Sequence, residues 1–339
     1  MKMEQRALKI DNPIKKESPW QKPLNFINNW GTVIAIVVLI VFFAVAVPQF
    51  MTGSNIVNIM RSISIVTIIA IGLTVSLTVN GFDLSIGSTA TLANSLVVSF
   101  FVWYSLPTGI SIALALILAL SVALFNAFLI VKIKIPDLFA TLATMFIVEG
   151  VAMTYTGGGS ISVGMPRLDG TPTNGTIPSA FALISQTPYI IILMLIVVGS
   201  VYFFLKHTKH GRYLYMIGGN IEASRLSGIP VNRYRTLAYV ISALLAALGG
   251  VVLASQIGSA QINAGGGYLM PAVAAAFIGS SFAGQGKPNA IGTLVGATLI
   301  GILENGLVMM SVPYYSLNII KGAVLALALA STYYTRRKN

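Results

Sequence analysis

The sequence predicts an all-α polytopic membrane protein with about ten transmembrane helices, and three observations carry that expectation. Of its 339 residues, 55% are hydrophobic and only 9% are charged, whereas soluble domains carry roughly a quarter charged residues. Apolar runs close to the twenty or so residues needed to cross the hydrocarbon core recur along the chain. The Lys and Arg residues, 21 in all, gather on one side when those runs are threaded back and forth.

The candidate spans lie near 31–48, 62–80, 84–104, 109–131, 138–156, 188–206, 236–257, 268–284, 289–311 and 315–333. Residues 1–29 are polar and lysine-rich, with Pro13, Pro19 and Pro23 breaking helix, and read as a cytoplasmic tail. Residues 30–335 form the transmembrane domain, with a cytoplasmic loop at 207–235 and a cytoplasmic C-terminus at 336–339. The first run ends in Ala44-Val45-Ala46, superficially a signal-peptidase site. Its long polar lead and the many apolar runs behind it mark a retained helix instead.

With the N-terminus inside, only Arg61, Arg167 and Lys321 of the 21 basic residues lie at or near the outer side, which leaves 21 − 3 = 18 inside. That asymmetry supports an even number of crossings with both ends cytoplasmic. The net charge of +12 therefore reflects topology, not nucleic-acid binding. The chain has no cysteine, so disulfides and thiolate metal sites are excluded. His207 and His210 sit among Lys206, Lys209 and Arg212 and read as a solvated basic rim, since nearby cations oppose metal binding.

Between two apolar runs lies a polar interval, Gly218 to Arg235, built as a short, deliberately ended helix. Asn220 is placed to cap its first turn, and Glu222 complements the positive helix end. Gly228 supplies a left-handed terminal residue and Pro230 forbids continuation. So short a helix is unstable alone, because nucleation is costly, and a partner is expected to dock on it. The outer loop at 157–187 reads either as a receiver for an external partner or as a plain connection.

No catalytic centre is visible. The nearest approach to a nucleotide-binding loop, Gly284-Gln285-Gly286-Lys287-Pro288, has Pro where Ser or Thr must reach Mg²⁺. Any ATP use must then come from another polypeptide. Asp83 and Ser85, between the second and third spans, read first as caps of the third helix and second as part of a broken, pathway-facing helix end. Glu149 and Glu304 lie well inside apolar runs, with Asn126, Asn305 and Asn318 as polar companions. Conduit lining or interhelical hydrogen bonding is favoured over an ion relay. The small residues from Gly292 through Gly296 to Gly301 suit close helix approach, within the chain or between copies.

Four segments, in order over about residues 50–333, resemble those of ribose-type sugar permeases of bacterial ABC importers. Glu222-Ala223-Ser224-Arg225-Leu226-Ser227-Gly228 fits the Glu-Ala-Ala-xxx-Gly coupling motif, with Ser224 at the second alanine. Gly81-Phe82-Asp83-Leu84-Ser85-Ile86-Gly87-Ser88 is similar to Gly-Ile-Asp-Leu-Ser-Val-Gly-Ser, and Ile135 to Leu142 resembles Ile-Pro-x-Phe-Ile-Ala-Thr-Leu. Gly301 to Leu307 resembles Gly-x-x-x-Asn-Gly-Leu. Two segments depart from the family pattern, Gly267-Tyr268-Leu269-Met270-Pro271 and Gly279-Ser280-Ser281-Phe282, and leave the sugar unspecified.

The resemblance implies a type II importer permease in the bacterial cytoplasmic membrane. A second permease copy, a pair of ABC ATPase subunits and an extracytoplasmic solute-binding protein complete it, with ATP and Mg on the ATPase subunits and no cofactor in this chain. Asn220, Glu222, Ala223, Ser224, Gly228 and Ile229 would form the ATPase contact. Asp83, Ser85, Asn126, Glu149, Glu304 and Asn305 are the pathway candidates. The rival readings are an ion-coupled secondary transporter and an ABC permease for branched-chain amino acids.

Overall fold

A computed structural model describes residues 21–282, 286–313 and 315–326. Most of the tail 1–29, part of the 284–288 segment, the end of the 315–333 span and the terminus 336–339 lie outside the described residues.

The helices are α1 (Gln21–Ala46), α2 (Gly53–Thr78), α3 (Ile86–Val102), α4 (Thr108–Ala127, continued by a π turn at Phe128–Lys132), α5 (Asp137–Tyr155), the short α6 (Ser179–Ala182), α7 (Tyr189–His207), α8 (Lys209–Gly219), α9 (Ile221–Leu226), α10 (Val231–Ile257), α11 (Gly266–Ser281), α12 (Ala290–Met309) and α13 (Tyr315–Ala326). Six are long and apolar enough to cross a membrane, and the apolar parts of α1, α3, α11 and α13 are shorter. Among the described residues no strand forms. The protein is an all-α polytopic membrane protein, and the ten apolar helices among the described residues follow the ten expected spans in order.

Two boundaries differ from expectation. α1 begins at Gln21, inside the stretch read as tail, because Pro23 falls in the first turn, where the missing N–H has no intrahelical partner to lose. α2 begins at Gly53, nine residues ahead of position 62, and so takes Arg61 into the helix.

The surface inverts the pattern of a soluble protein, and the apolar interior carries an unusual share of small polar residues. Val38, Phe42, Ile117, Phe146, Ile196 and Phe203 are all exposed, a surface suited to lipid. The interior holds Ser88, Thr89, Thr91, Asn94, Ser95 and Ser99, all buried on α3 alone. Small polar residues let helix backbones approach closely, and their hydroxyls bond the preceding turn. Helix α10 is the hub, packed along α2, α3 and α4, while α3 also meets α5, α4 and α11.

The small residues of α12 are spent inside the chain. A Cβ on Gly292 would stand 2.1 Å from the Gly279 carbonyl of α11, and one on Gly296 would stand 2.2 Å from that of Ala275. Thr293 adds a 2.7 Å hydroxyl contact to Thr74 of α2. At the opposite end from α8 and α9, the long loop is folded down over α3. Ile161 bridges to Ala260, Arg167 donates through Nε to the Trp103 carbonyl at 3.0 Å, and Phe181 stacks edge-on to Phe101.

Candidate functional site

The polar interval folds as a pair of helices, α8 then α9. Asn220 has extended backbone and its Oδ1 accepts from the Ala223 N–H at 2.9 Å, which makes it the N-cap of α9. The helix closes on a Schellman turn. Gly228, at φ +78°, donates to the Arg225 carbonyl at 3.0 Å, and the Ile229 N–H reaches the Ser224 carbonyl at 3.1 Å. Glu222, Ala223, Arg225 and Leu226 are exposed, and Leu226 at 89% is a large apolar side chain standing free. Ser224 and Ile229 differ from the expected contact set. Both are buried against their own chain, with the Ser224 hydroxyl donating to the Asn220 carbonyl at 2.8 Å, so they anchor α9 instead of presenting it.

Helix α8 explains how so short a helix as α9 is held. Leu214 and Ile217 are fully buried, and Tyr215 donates to the Pro288 carbonyl at 2.7 Å. Burial there pushes the Tyr215 phenol up to about 12. Gly218 sits so near the end of α2 that a Cβ would stand 2.1 Å from the Thr78 carbonyl.

The chain breaks after α2. Asn80 takes φ +57°, and residues 81–85 run back into the bundle before α3 begins. Asp83 is fully buried. Its Oδ1 accepts from the Ser85 N–H at 3.0 Å and the Ser85 hydroxyl at 2.6 Å, and its Oδ2 accepts from Ser242 of α10 at 2.7 Å. Asn126, at the end of α4, donates to the Ser85 hydroxyl at 2.8 Å. Ser242 lies eleven residues into α10, about 16 Å along its axis, so this joint sits at membrane depth. Ser85 occupies the cap position of α3 but makes no capping bond, contrary to one expectation. Its backbone is already helical, at φ −76° and ψ −2°, and its hydroxyl is committed to Asp83. Asp83, Ser85 and Asn126 therefore face one another in a hydrogen-bonded knot.

A second knot lies nearer the α8–α9 end. Asp137, the first residue of α5, pairs with Arg235 and accepts from the Tyr239 hydroxyl, both of α10. Tyr239 and Asp137 together leave no room for a Cβ on Gly81, which would stand 2.6 Å and 2.8 Å from them.

The remaining candidates lie apart. Glu304 on α12 is ion-paired with Lys321 of α13 at 3.1 Å. Asn305 exchanges amide hydrogen bonds with Asn55 of α2, at 3.0 and 2.9 Å, and joins those helices. Glu149 is half-buried on α5, the span with the smallest buried share. The two glutamates do not meet, so no relay joins them.

A family model described as branched-chain amino acid transport system / permease component matches residues 55–329. The ribose import permease protein RbsC of Escherichia coli K12 is 34% identical over 298 residues, covering 88% of this chain and 91% of its own. RbsC of Bacillus subtilis 168 is 32% identical over 316 residues, 91% of this chain and 95% of its own. The xylose transport system permease protein XylH of Escherichia coli K12 is 27% identical over 361 residues, 90% and 91% of the two chains. No solved structure matches. The chain belongs to this family of transport permeases.

In the permease, sequence reading missed Asp137, Arg235, Tyr239, Ser242, Asn55 and Lys321 as working polar residues. One signal for three of them was available. Arg235, Tyr239 and Ser242 are spaced four and three apart, which puts a polar stripe on one face of an otherwise apolar helix.

Proposed function

We propose that this chain is the membrane-spanning subunit of an ATP-driven importer for a sugar or sugar-like solute. The observation that carries it is the likeness to a ribose permease over 88% of the chain, which includes the segment that folds into the exposed, doubly capped α9. A xylose permease among the relatives supports a monosaccharide-type substrate, and favours it over the branched-chain amino acid in the family description.

In this reading α9 is the coupling helix. Glu222, Ala223 and Leu226 enter a groove of an ABC ATPase subunit, one on each of two permease copies, while a solute-binding protein delivers substrate to the opposite face. The basic residues around the α4–α5 turn and α8–α9, among them Lys132, Lys134, Lys209 and Arg212, support a cytoplasmic side at that end by the positive-inside rule, with both termini on the same side. ATP and Mg are held by the ATPase subunits, and this chain needs no cofactor of its own. Transport proceeds by alternating access, biased by the different affinities of ATP and loaded binding protein for the two states. The Asp83–Ser85–Asn126 knot fixes the broken helix beside the path, and Glu149 is the candidate left on a free face.

Reconstitution decides among the readings. Uptake of a sugar into proteoliposomes only with ATP, the ATPase subunit and the binding protein is the expected result. Uptake driven by an ion gradient with this chain alone would establish a secondary transporter. Competition by a branched-chain amino acid at the binding protein would move the substrate class.

A further inference from the structure

Beside α9 lies a cavity of about 580 Å³, walled by α9, the turn between α4 and α5, and the start of α10. Its polar lining is Lys134, Asp137, Glu222, Arg225, Asn232 and Arg235. Three cations face two carboxylates, which leaves one positive charge in excess. Asp137 is taken by Arg235, and Glu222 by Arg225 at 3.0 Å. Lys134 is exposed and has no ion pair among the described residues. The Nε of Arg235 is buried and has no hydrogen-bond partner there. With both lining carboxylates already paired, the cavity is short of an acceptor for its remaining cation. Lys134 is also held at φ +69°, a conformation that a non-glycine residue adopts at a cost. That backbone carries the lysine on the rim of the cavity.

We propose that this cavity receives a carboxylate side chain of the ATPase subunit, bound by Lys134 and by the exposed part of the Arg235 guanidinium. The proposal rests on the reading of α9 as the coupling helix and extends it to a second contact across the cavity. The exposed Leu226, at the end of α9 next to Arg225, calls for a partner offering an apolar socket beside its acid. A protein surface offers both, whereas a free anion or a lipid headgroup answers only the charge. The surrounding Lys132, Arg233 and Arg225 add a positive field that steers an acidic surface toward this end.

The incoming carboxylate would share Arg235 with Asp137. Asp137 in turn holds Tyr239 beside Gly81, two residues before Asp83. Docking at the cavity would then bear directly on the chain break between α2 and α3.

The test uses the full-length permease in nanodiscs with its cognate ATPase subunit, comparing wild type with Lys134→Glu, Lys134→Gln and Gly228→Val. Expected is a fall in ATPase affinity of roughly tenfold or more for Lys134→Glu, a smaller fall for Lys134→Gln, and a weaker salt dependence for both. Because the chain has no cysteine, Lys134→Cys can be crosslinked to single cysteines replacing acidic residues of the ATPase. Crosslinking at one such position is the expected result. If both Lys134 variants bind the ATPase as wild type does while Gly228→Val fails, the cavity contact is overturned and the coupling helix stands. If wild type binds no ATPase subunit, both fall.

Discussion

Two adjacent glycines in α8 should respond in opposite ways to the same substitution. A Cβ on Gly218 would stand 2.1 Å from the Thr78 carbonyl, against the 3.4 Å at which ordinary contact begins, while Gly219 has nothing within 4 Å. Gly218→Ala therefore forces α8 away from the end of α2 by about 1.3 Å or tilts it by an equivalent amount. Overpacking of this kind costs about 1–3 kcal/mol, offset by the gain of up to roughly 1 kcal/mol when alanine replaces glycine in a helix. The displaced residue is two positions from Asn220, so the start of α9 moves with it. Gly219→Ala meets no neighbour and should be neutral or slightly stabilising. Thermal unfolding of the purified permease and ATP-dependent uptake in proteoliposomes measure the pair. We expect Gly218→Ala to unfold at lower temperature and lose most uptake with membrane insertion intact, and Gly219→Ala to match wild type. Equal behaviour of the two variants would refute the close approach of α8 to α2.

Gly228→Val meets no clash within 4 Å, so its cost, about 1–2 kcal/mol, comes from φ +78° alone. Uptake should be abolished while insertion is normal, as read by ATPase capture and membrane yield. Asp83→Asn keeps an acceptor for Ser85 and turns an amide toward Ser242, so its stability should stay near wild type. Asp83→Ala strands the Ser85 N–H and two hydroxyls and should lose on the order of 3 kcal/mol, read by thermal unfolding. Glu304→Lys places like charges at the 3.1 Å contact with Lys321 and should destabilise by up to about 3 kcal/mol. The double exchange with Lys321→Glu should restore most of that loss in the same assay.

Much of the architecture was legible because it depends on local sequence. A run of apolar residues is a span wherever it packs, and the caps of α9 involve residues no more than five apart. What escaped depends on pairs distant in sequence. Asp83 meets Ser242 across 159 residues and Asp137 meets Arg235 across 98, so neither acid showed its partner in its own motif. The place of Asp83 between two apolar runs is legible, and so is its local bond to the Ser85 N–H, but its bond to Ser242 is not. Glu304 finds its partner Lys321 only on the following helix. The burial of Ser224 and Ile229 was hidden for a related reason: α9 is too short for periodicity to show which side faces the bundle, and α8, which fixes that side, was read as loop.

Membrane depth tolerates a break in a helix only where protein satisfies the freed backbone groups, and the link between α2 and α3 meets that condition from several sides. The Gly81 N–H returns to the Ser76 carbonyl at 3.0 Å, the Phe82 carbonyl accepts from Thr141 of α5 at 2.9 Å, and the Ser85 N–H goes to Asp83. Its side-chain partners come from α4, α5 and α10, so the link holds its shape only while those helices keep their spacing. Helix α10 starts at Val231, immediately past the turn that ends α9. One face of α10 carries Arg235, Tyr239 and Ser242 and so holds both Asp83 of the link and Asp137 at the start of α5. Tyr239 and Ser242 are three residues apart on α10, so rotating it enough to part Ser242 from Asp83 would also move Tyr239 against Asp137. Both knots therefore depend on the same face of α10.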